Sequence, residues 1–350
     1  MIARIRGVLL IMALAGVAEC IGEAADLLVH AISEHTTSLL ASEAGGVVRL
    51  GPAGIVYFLS VETNTVHTIA PNGSTTRLAL SSTPEGASAS LMEDMAIDGT
   101  GRLFIPSIWR RAPGKGSAGI LVFDSRGYYE RTVEFVPRTN VRHIAMDEGG
   151  NIFVLGIDPA YYRGTAAACF LVHKYSPLGE RIKAFSNCPA DLAKGRLTSG
   201  PAWDELNLDV DRGRLWLNGG RLYQLLSASH QIRVFDPASG VQVGQVELQA
   251  PVRDSGAGSG RQIVWRVVQA AGGEYLAQWS LPQGPSGGGA NARSFAMVLH
   301  DSAGAGLSNP VSPAGEAMVP LFTNDDGTIT FAVGRPNGAI RLTQSSVTLR

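Results

Sequence analysis

The chain carries almost no net charge: 29 Lys and Arg face 30 Asp and Glu, a formal balance of −1 over 350 residues. A nucleic-acid or anionic-membrane partner calls for a basic surface, so neither is expected. No apolar run reaches the roughly 20 residues that a membrane-spanning helix needs, so no integral span is expected in the mature chain. Signatures of several enzyme classes are also missing, namely the His-Glu-x-x-His zinc helix, the phosphate-cradling glycine loop and the Cys-x-x-Cys-His haem site. Helical periodicity is sparse. What fills the chain instead is 42 glycines and 18 prolines among short apolar stretches, a composition that points to many short strands joined by turns.

One phrase recurs three times. It reads Ala96-Ile97-Asp98-Gly99-Thr100-Gly101-Arg102-Leu103-Phe104, then Ala145-Met146-Asp147-Glu148-Gly149-Gly150-Asn151-Ile152-Phe153, then Asp209-Val210-Asp211-Arg212-Gly213-Arg214-Leu215-Trp216. In each, the Asp carboxylate can accept from the N–H groups of a tight turn, Gly supplies a positive φ, and apolar residues flank both sides. This is the chemistry of a short β-hairpin, so Asp98, Asp147 and Asp211 are expected to be structural.

The N-terminus couples Arg4 and Arg6 to an apolar stretch of about a dozen residues, Gly7 to Ala18, with Glu19 and Glu23 following. That is the pattern of a signal peptide, cleaved after Ala18 or Ala24. Cys20 follows Glu19 rather than a small residue, which argues against lipidation. The mature protein is therefore expected to be secreted or periplasmic. An oxidising compartment makes Cys169 and Cys188 candidates for a disulfide, with two free buried thiols as the alternative.

Reading outward from the turn glycines gives six units. Val47–Leu50, Ile55–Phe58 and Thr65–Ile69 form the first; the second runs from Met95 to Phe135, the third from Ile144 to Phe185 and the fourth from Leu206 to Leu248. Val264–Val268 and Glu274–Trp279 begin the fifth, and Leu321–Thr323 with Thr328–Ala332 the sixth. Four strands per unit in a closed ring make an all-β, six-bladed β-propeller of antiparallel blades, a fold that hides sheet edges by radial repetition. The expected layout is a signal peptide over 1–24, a lead-in over 25–44 that is helical over Ala24–His35, and a single propeller over 45–350. Val347–Leu349 and the segment around Leu39-Leu40 are the candidates for closing the ring. The fold suits a monomer.

Units two to four, roughly residues 93 to 250, resemble the NHL-repeat and gluconolactonase (regucalcin-like) propellers. The stretches that carry the resemblance are Ile97-Asp98 with Leu103-Phe104, Met146-Asp147 with Asn151 to Val154, and Val210-Asp211 with Leu215-Trp216. It implies an architecture and no single reaction, because lactonases, an amide lyase, esterases and binding modules share it. The gluconolactonase likeness implies a metal held by Glu, Asn and Asp on inner strands, and Asn207 is the residue that carries over. The first blade offers no matching glutamate. The amide-lyase likeness would require several inner-strand histidines, and His143 alone stands at such a place.

Positions four residues before the turn should line one ring of the channel. They are Asp94, His143 and Asn207 in units two to four and Arg266 in the fifth, with Val47 and Pro320 in the outer units and Glu93 and Asp209 flanking. Such a ring could hold a divalent cation, Ca²⁺ or Zn²⁺, with Asp94 and Asn207 as ligands, or a polar ligand. Each residue also has a structural alternative: Asp94 as a loop cap, His143 as a satisfied buried imidazole, Arg266 as an ion-pair partner of Asp94 or Glu93. Trp109-Arg110-Arg111 and Tyr161-Tyr162-Arg163 are expected to decorate one face, as a binding surface or packed over a blade edge. His173, on a third strand, is expected to face a neighbouring sheet or solvent. The leading expectation is a secreted binding or scaffold module for a small-molecule ligand or a protein partner. The alternative is a metal-dependent lactonase, esterase or lyase of the gluconolactonase type.

Overall fold

A computed structural model describes residues 27–40, 47–81, 88–91, 94–112, 115–162, 168–188, 200–251, 262–282, 293–308, 318–324, 326–334 and 339–349. Residues 1–24, read from the sequence as a signal peptide, and Glu93 lie outside the described residues.

The chain enters on β1 (Leu27–Leu40). Blade one follows as β2 (Val47–Leu50), β3 (Val56–Ser60), β4 (Thr65–Ile69) and β5 (Thr75–Ala79). In blade two, β6 (Ser88–Leu91) and β7 (Ala96–Ile97) both pair with β8 (Leu103–Ala112), and β9 (Lys115–Phe123) and β10 (Tyr129–Glu134) complete it. Blade three is β11 (Asn140–Met146), β12 (Ile152–Ile157), β13 (Phe170–Tyr175) and β14 (Arg181–Asn187). Blade four is β15 (Arg214–Asn218), β16 (Arg221–Leu226), β17 (Gln231–Phe235) and β18 (Gln242–Glu247). Blade five has β19 (Ile263–Gln269), β20 (Tyr275–Pro282) and β21 (Arg293–His300), with a short bridge from His300 to Gly306 beyond them. Blade six is β22 (Met318–Thr323), β23 (Ile329–Gly334) and β24 (Ala339–Leu349), completed by β1. All six sheets pair antiparallel, so the expected six-bladed all-β propeller is the fold.

The ring closes by pairing the two ends of the chain. Leu27 lies opposite Leu349, Val29 opposite Val347 and Leu40 opposite Ala339. The helical turn expected over Ala24–His35 is therefore corrected from Leu27 onward: that stretch is strand and forms the outer edge of blade six, while residues 24–26 lie outside the described residues. Its β-branched residues suit a strand, and β24 without β1 would present a row of unpaired N–H and C=O groups.

The second correction concerns the third copy of the recurring phrase. Pro201–Asp211 is an α-helix, and the inner strand of blade four begins only at Arg214. Pro201 sits in the first turn, where its missing N–H costs nothing. Trp203, Leu206 and Val210 follow at helical spacing and bury into one cluster with Phe153 and Leu155 of β12 and Leu215 and Leu222 of blade four. That apolar stripe, which three residues suffice to make, outweighs the weak hairpin signal. Asp211 is thus the end of a helix and not a turn residue. Asp98 and Asp147 behave as expected: Asp98 Oδ1 accepts from Thr100 N at 2.9 Å and Arg102 N at 3.0 Å, and Asp147 Oδ1 from Asn151 N at 2.8 Å.

Cys169 and Cys188 form the disulfide, with Cα atoms 5.4 Å apart. It links the entrance of β13 to the exit of β14, and both residues are buried. Trp109 is buried in β8 within the core between blades one and two, and Tyr161 is buried and stacks on Trp203 at 6.4 Å. For Trp109 and Tyr161 packing is the reading observed, while the side chains of Arg110, Arg111, Tyr162 and Arg163 lie outside the described residues. His173 is fully buried. Among the described residues no helix is long and apolar enough to cross a membrane.

Candidate functional site

Several inner strands depart from regular pairing near the positions singled out above. In blade two Asp94 and Met95 stand outside any strand, just before β7 begins at Ala96. Blade three shifts register between Val141 and His143, and blade five between Val264 and Arg266. A bulge bends a strand and re-aims the side chain that follows it. Here the following residues are His143 and Arg266, the very positions that counting back from the turn had singled out.

Asp94 is the hub. Its side chain is 1% exposed. Oδ1 accepts from the N–H of Met95 at 2.8 Å and from the Arg49 guanidinium on β2, and Oδ2 accepts from the N–H of Ile144 at 2.8 Å. The Nδ1 of His143 lies 3.4 Å from Oδ2. One carboxylate thus ties blades one, two and three together. Burial alone would raise its pKa, but the Arg49 charge, the His143 hydrogen bond and charge, and Arg214 outweigh it and hold it at about 2.

His143 is buried between opposing influences. Arg214 Nη1 lies 3.1 Å from its Nδ1 and 3.2 Å from its Nε2, while Nε2 lies 3.2 Å from the Asp211 carbonyl oxygen. Burial, then the Arg214 charge, push the imidazole pKa down against Asp94 and that carbonyl. Arg266 completes the group. Burial, followed by the charges of Arg214 and Arg49, lowers its pKa to about 9, and Asp94 opposes the shift. Of the two partners expected for Arg266, Asp94 therefore acts on it through its charge, and Glu93 lies outside the described residues.

Two neighbours were missed by the count. Arg214 occupies the blade-four ring position because its strand ends at Asn218, before a Gly219-Gly220 turn and Arg221. That turn was a legible hairpin signal. Arg49 sits two residues before its turn instead of four, and no periodicity marks it. Beside the ring, Arg142 Nε pairs with Asp211 Oδ1 at 2.8 Å, and the Arg212 guanidinium lies 5.0 Å over the Trp265 ring.

Asn207 and Asp209 do not join this ring through an inner strand, because both are on the helix Pro201–Asp211. Asp209 accepts from Ala228 N at 2.7 Å, Ser229 N at 2.9 Å and the Ser229 hydroxyl, and so holds the turn between β16 and β17. Burial raises its pKa even against those hydrogen bonds. Val47 and Pro320, at the ring positions of the outer blades, are buried.

The donor set does not suit the divalent cation that the ring was expected to admit. Both oxygens of Asp94 are already engaged by donors, Asn207 is on a helix, and guanidinium groups surround the site. No group of three His, Cys, Asp or Glu that could hold a metal occurs among the described residues.

No protein-family model and no curated protein matches the chain. Solved structures share its shape. A member of the DUF4221 family from Bacteroides vulgatus matches with a TM-score of 0.56 at 9% identity, over 94% of this chain and 100% of its own. Virginiamycin B lyase from Staphylococcus aureus matches with a TM-score of 0.41 at 10% identity, over 91% of this chain and 99% of its own. A protein of unknown function from Bacteroides caccae has a TM-score of 0.43 at 15% identity, over 76% of this chain and 81% of its own. At such identities the likeness concerns the fold alone.

Proposed function

We propose that this chain is an exported β-propeller that works as a binding module, holding a small ligand or the tip of a protein partner in its central channel. One observation carries the reading: five successive blades each contribute one polar or charged residue to a single electrostatically linked cluster, namely Arg49, Asp94, His143, Arg214 and Arg266. A fold held by hydrophobic contacts between blades has no need of such a costly polar cluster on its axis, whereas a ligand site is built from a few convergent polar groups on a rigid frame. The gluconolactonase-type alternative needs a metal, and the residues above do not fit one.

The experiment is a thermal-shift screen of the exported protein against a panel of small metabolites, repeated with Arg214→Ala. Compounds that stabilise the parent and not the variant support the reading. A panel whose hits stabilise both proteins equally would place binding elsewhere and remove the channel from consideration. Intact-mass measurement of the exported protein tests the leader, with the mature chain expected to begin after Ala18 or Ala24.

A further inference from the structure

We propose a second binding site, independent of the cluster around Asp94: the cleft between blades one and six takes a single neutral pyranose, as a free sugar or as the terminal unit of a glycan. The cleft is a cavity of about 170 Å³ beside the blade in which the two ends of the chain pair. Blade one lines it with Val56, Ile69 and Pro71, and blade six with Phe322 and Leu342. Val56, Ile69 and Leu342 are buried members of the apolar core that these two blades share, so the cavity lies where that core stops short of filling the seam. A cavity of about 150 Å³ holds one benzene molecule, which limits the occupant to about one six-membered ring.

Ser33, Asn324, Thr330 and Gln344 supply the polar part of the lining, and no charged side chain joins them among the described residues. Gln344 Nε2 donates to Asp326 Oδ2 at 2.9 Å and to Thr328 Oγ1 at 2.8 Å, and Gln344 Oε1 accepts from the Ser33 hydroxyl at 3.1 Å. Asn324 Nδ2 donates to Thr328 Oγ1 at 2.9 Å and Thr330 Oγ1 at 3.0 Å, while Asn324 Oδ1 accepts from the Thr330 hydroxyl at 3.3 Å. The side-chain donors of all four residues are thus used within the protein. A carbonyl oxygen accepts twice, and a hydroxyl oxygen keeps lone pairs after donating. What these side chains have left for a ligand is acceptor capacity, on Gln344 Oε1, Asn324 Oδ1 and Ser33 Oγ.

Apolar surface beside fixed acceptors selects the ligand's chemistry. A carboxylate or phosphate would bring further acceptors, and an ammonium group would enter an uncharged lining with its charge uncompensated. Asp326 lies outside the lining and already accepts from Gln344 and Thr328. A plain hydrocarbon ring would leave the acceptors without partners. A pyranose suits both halves, because it joins an apolar C–H face to a rim of hydroxyl donors. Gly54 and Pro71 are exposed, which leaves a way out for the remainder of a glycan.

The test uses the full mature chain. Sugars at high concentration stabilise folded proteins by exclusion from their surface, so affinity is read by saturation-transfer NMR titration instead of melting. The probes are the methyl pyranosides of glucose, galactose and mannose, with maltotriose for a chain end and cyclohexanol and cyclohexylammonium as the apolar and cationic controls. At least one pyranoside should bind the parent with a Kd of about 1 mM, the affinity that a ligand of this size reaches. Ser33→Ala should weaken it about three- to tenfold, and Phe322→Leu, which keeps an apolar side chain but removes the flat ring, by a similar factor; circular dichroism establishes that both are folded. Arg102→Gln, at the turn between β7 and β8, should bind like the parent. Maltotriose binding at least as well as the monosaccharide identifies a chain end, and binding of the monosaccharide alone a free sugar. The proposal falls if no pyranoside binds, if cyclohexanol or cyclohexylammonium binds as tightly, or if both cleft variants bind like the parent. A signal lost in Arg214→Ala but kept in the cleft variants would put the sugar in the channel, overturning the cleft and supporting the channel reading; a signal lost in the cleft variants but kept in Arg214→Ala supports the cleft whatever becomes of the channel.

Discussion

Replacing Asp94 by Asn keeps the volume of the hub and removes its charge. The folded-state pKa of about 2 lies below the ordinary 3.8, so linkage assigns the ionised carboxylate about 2.5 kcal/mol of stability at neutral pH. Removing one partner of a buried ion pair costs about 3–5 kcal/mol when the other is fully buried, but the Arg49 side chain is 25% exposed, and water recovers part of that. A loss of about 2–3 kcal/mol is therefore expected. A pair of merely surface character would cost less than about 1 kcal/mol, so the two cases are separable by urea unfolding followed through tryptophan fluorescence. The pH dependence gives a second check. A depressed carboxylate pKa contributes above the unfolded value and fades as pH falls from 3.8 towards 2, so the gap between parent and Asp94→Asn should be full at pH 7 and shrink below about pH 4. A variant within about 1 kcal/mol of the parent at pH 7, or a gap that does not narrow in acid, would refute the hub.

Three further outcomes are expected. Burial, with the Arg181 charge adding, pushes the His173 pKa down to about 4; stability should be complete above about pH 6.5 and fall by about 3 kcal/mol as the pH drops to about 4. His143 and His300 add in the same direction, and His173→Leu should flatten the urea midpoint between pH 7 and 4.5 by one proton's share, so an unchanged slope would count against it. The Cys169–Cys188 bond spans 19 residues, and reduction, or a double change to Ser, should lower stability by about 3 kcal/mol in the chain-entropy picture; an unshifted urea midpoint after dithiothreitol would contradict this. Deleting residues 27–40 bares the β24 edge and the buried Leu27 contact, so the truncated chain should elute as aggregates on size exclusion, and a monomer that melts like the parent would show that β1 is dispensable.

The parts of this molecule legible in one dimension are those made by neighbours in sequence. Asp98 and Asp147 announce their hairpins because a carboxylate, a glycine and the N–H groups it satisfies lie within five residues. The same local chemistry misleads at Asp211, where the letters repeat but Trp203, Leu206 and Val210 find an apolar cleft between blades three and four and carry the segment into a helix. That single change moved Asn207 and Asp209 off the ring and put Arg214 on it.

By itself the sequence determined the strand-and-turn repeat, hence the six blades, together with the cysteine pair and three ring positions, Asp94, His143 and Arg266. Tertiary structure decided that β1 is a strand, because only the distant edge of β24 rewards it, and that Arg49 and Arg214 come to lie beside Asp94 and His143. The reason is the reach of the forces involved. A turn is settled by hydrogen bonds among adjacent residues, whereas the field at a point in the channel is the sum over side chains up to 217 positions apart, from Arg49 to Arg266, and no local pattern records that sum.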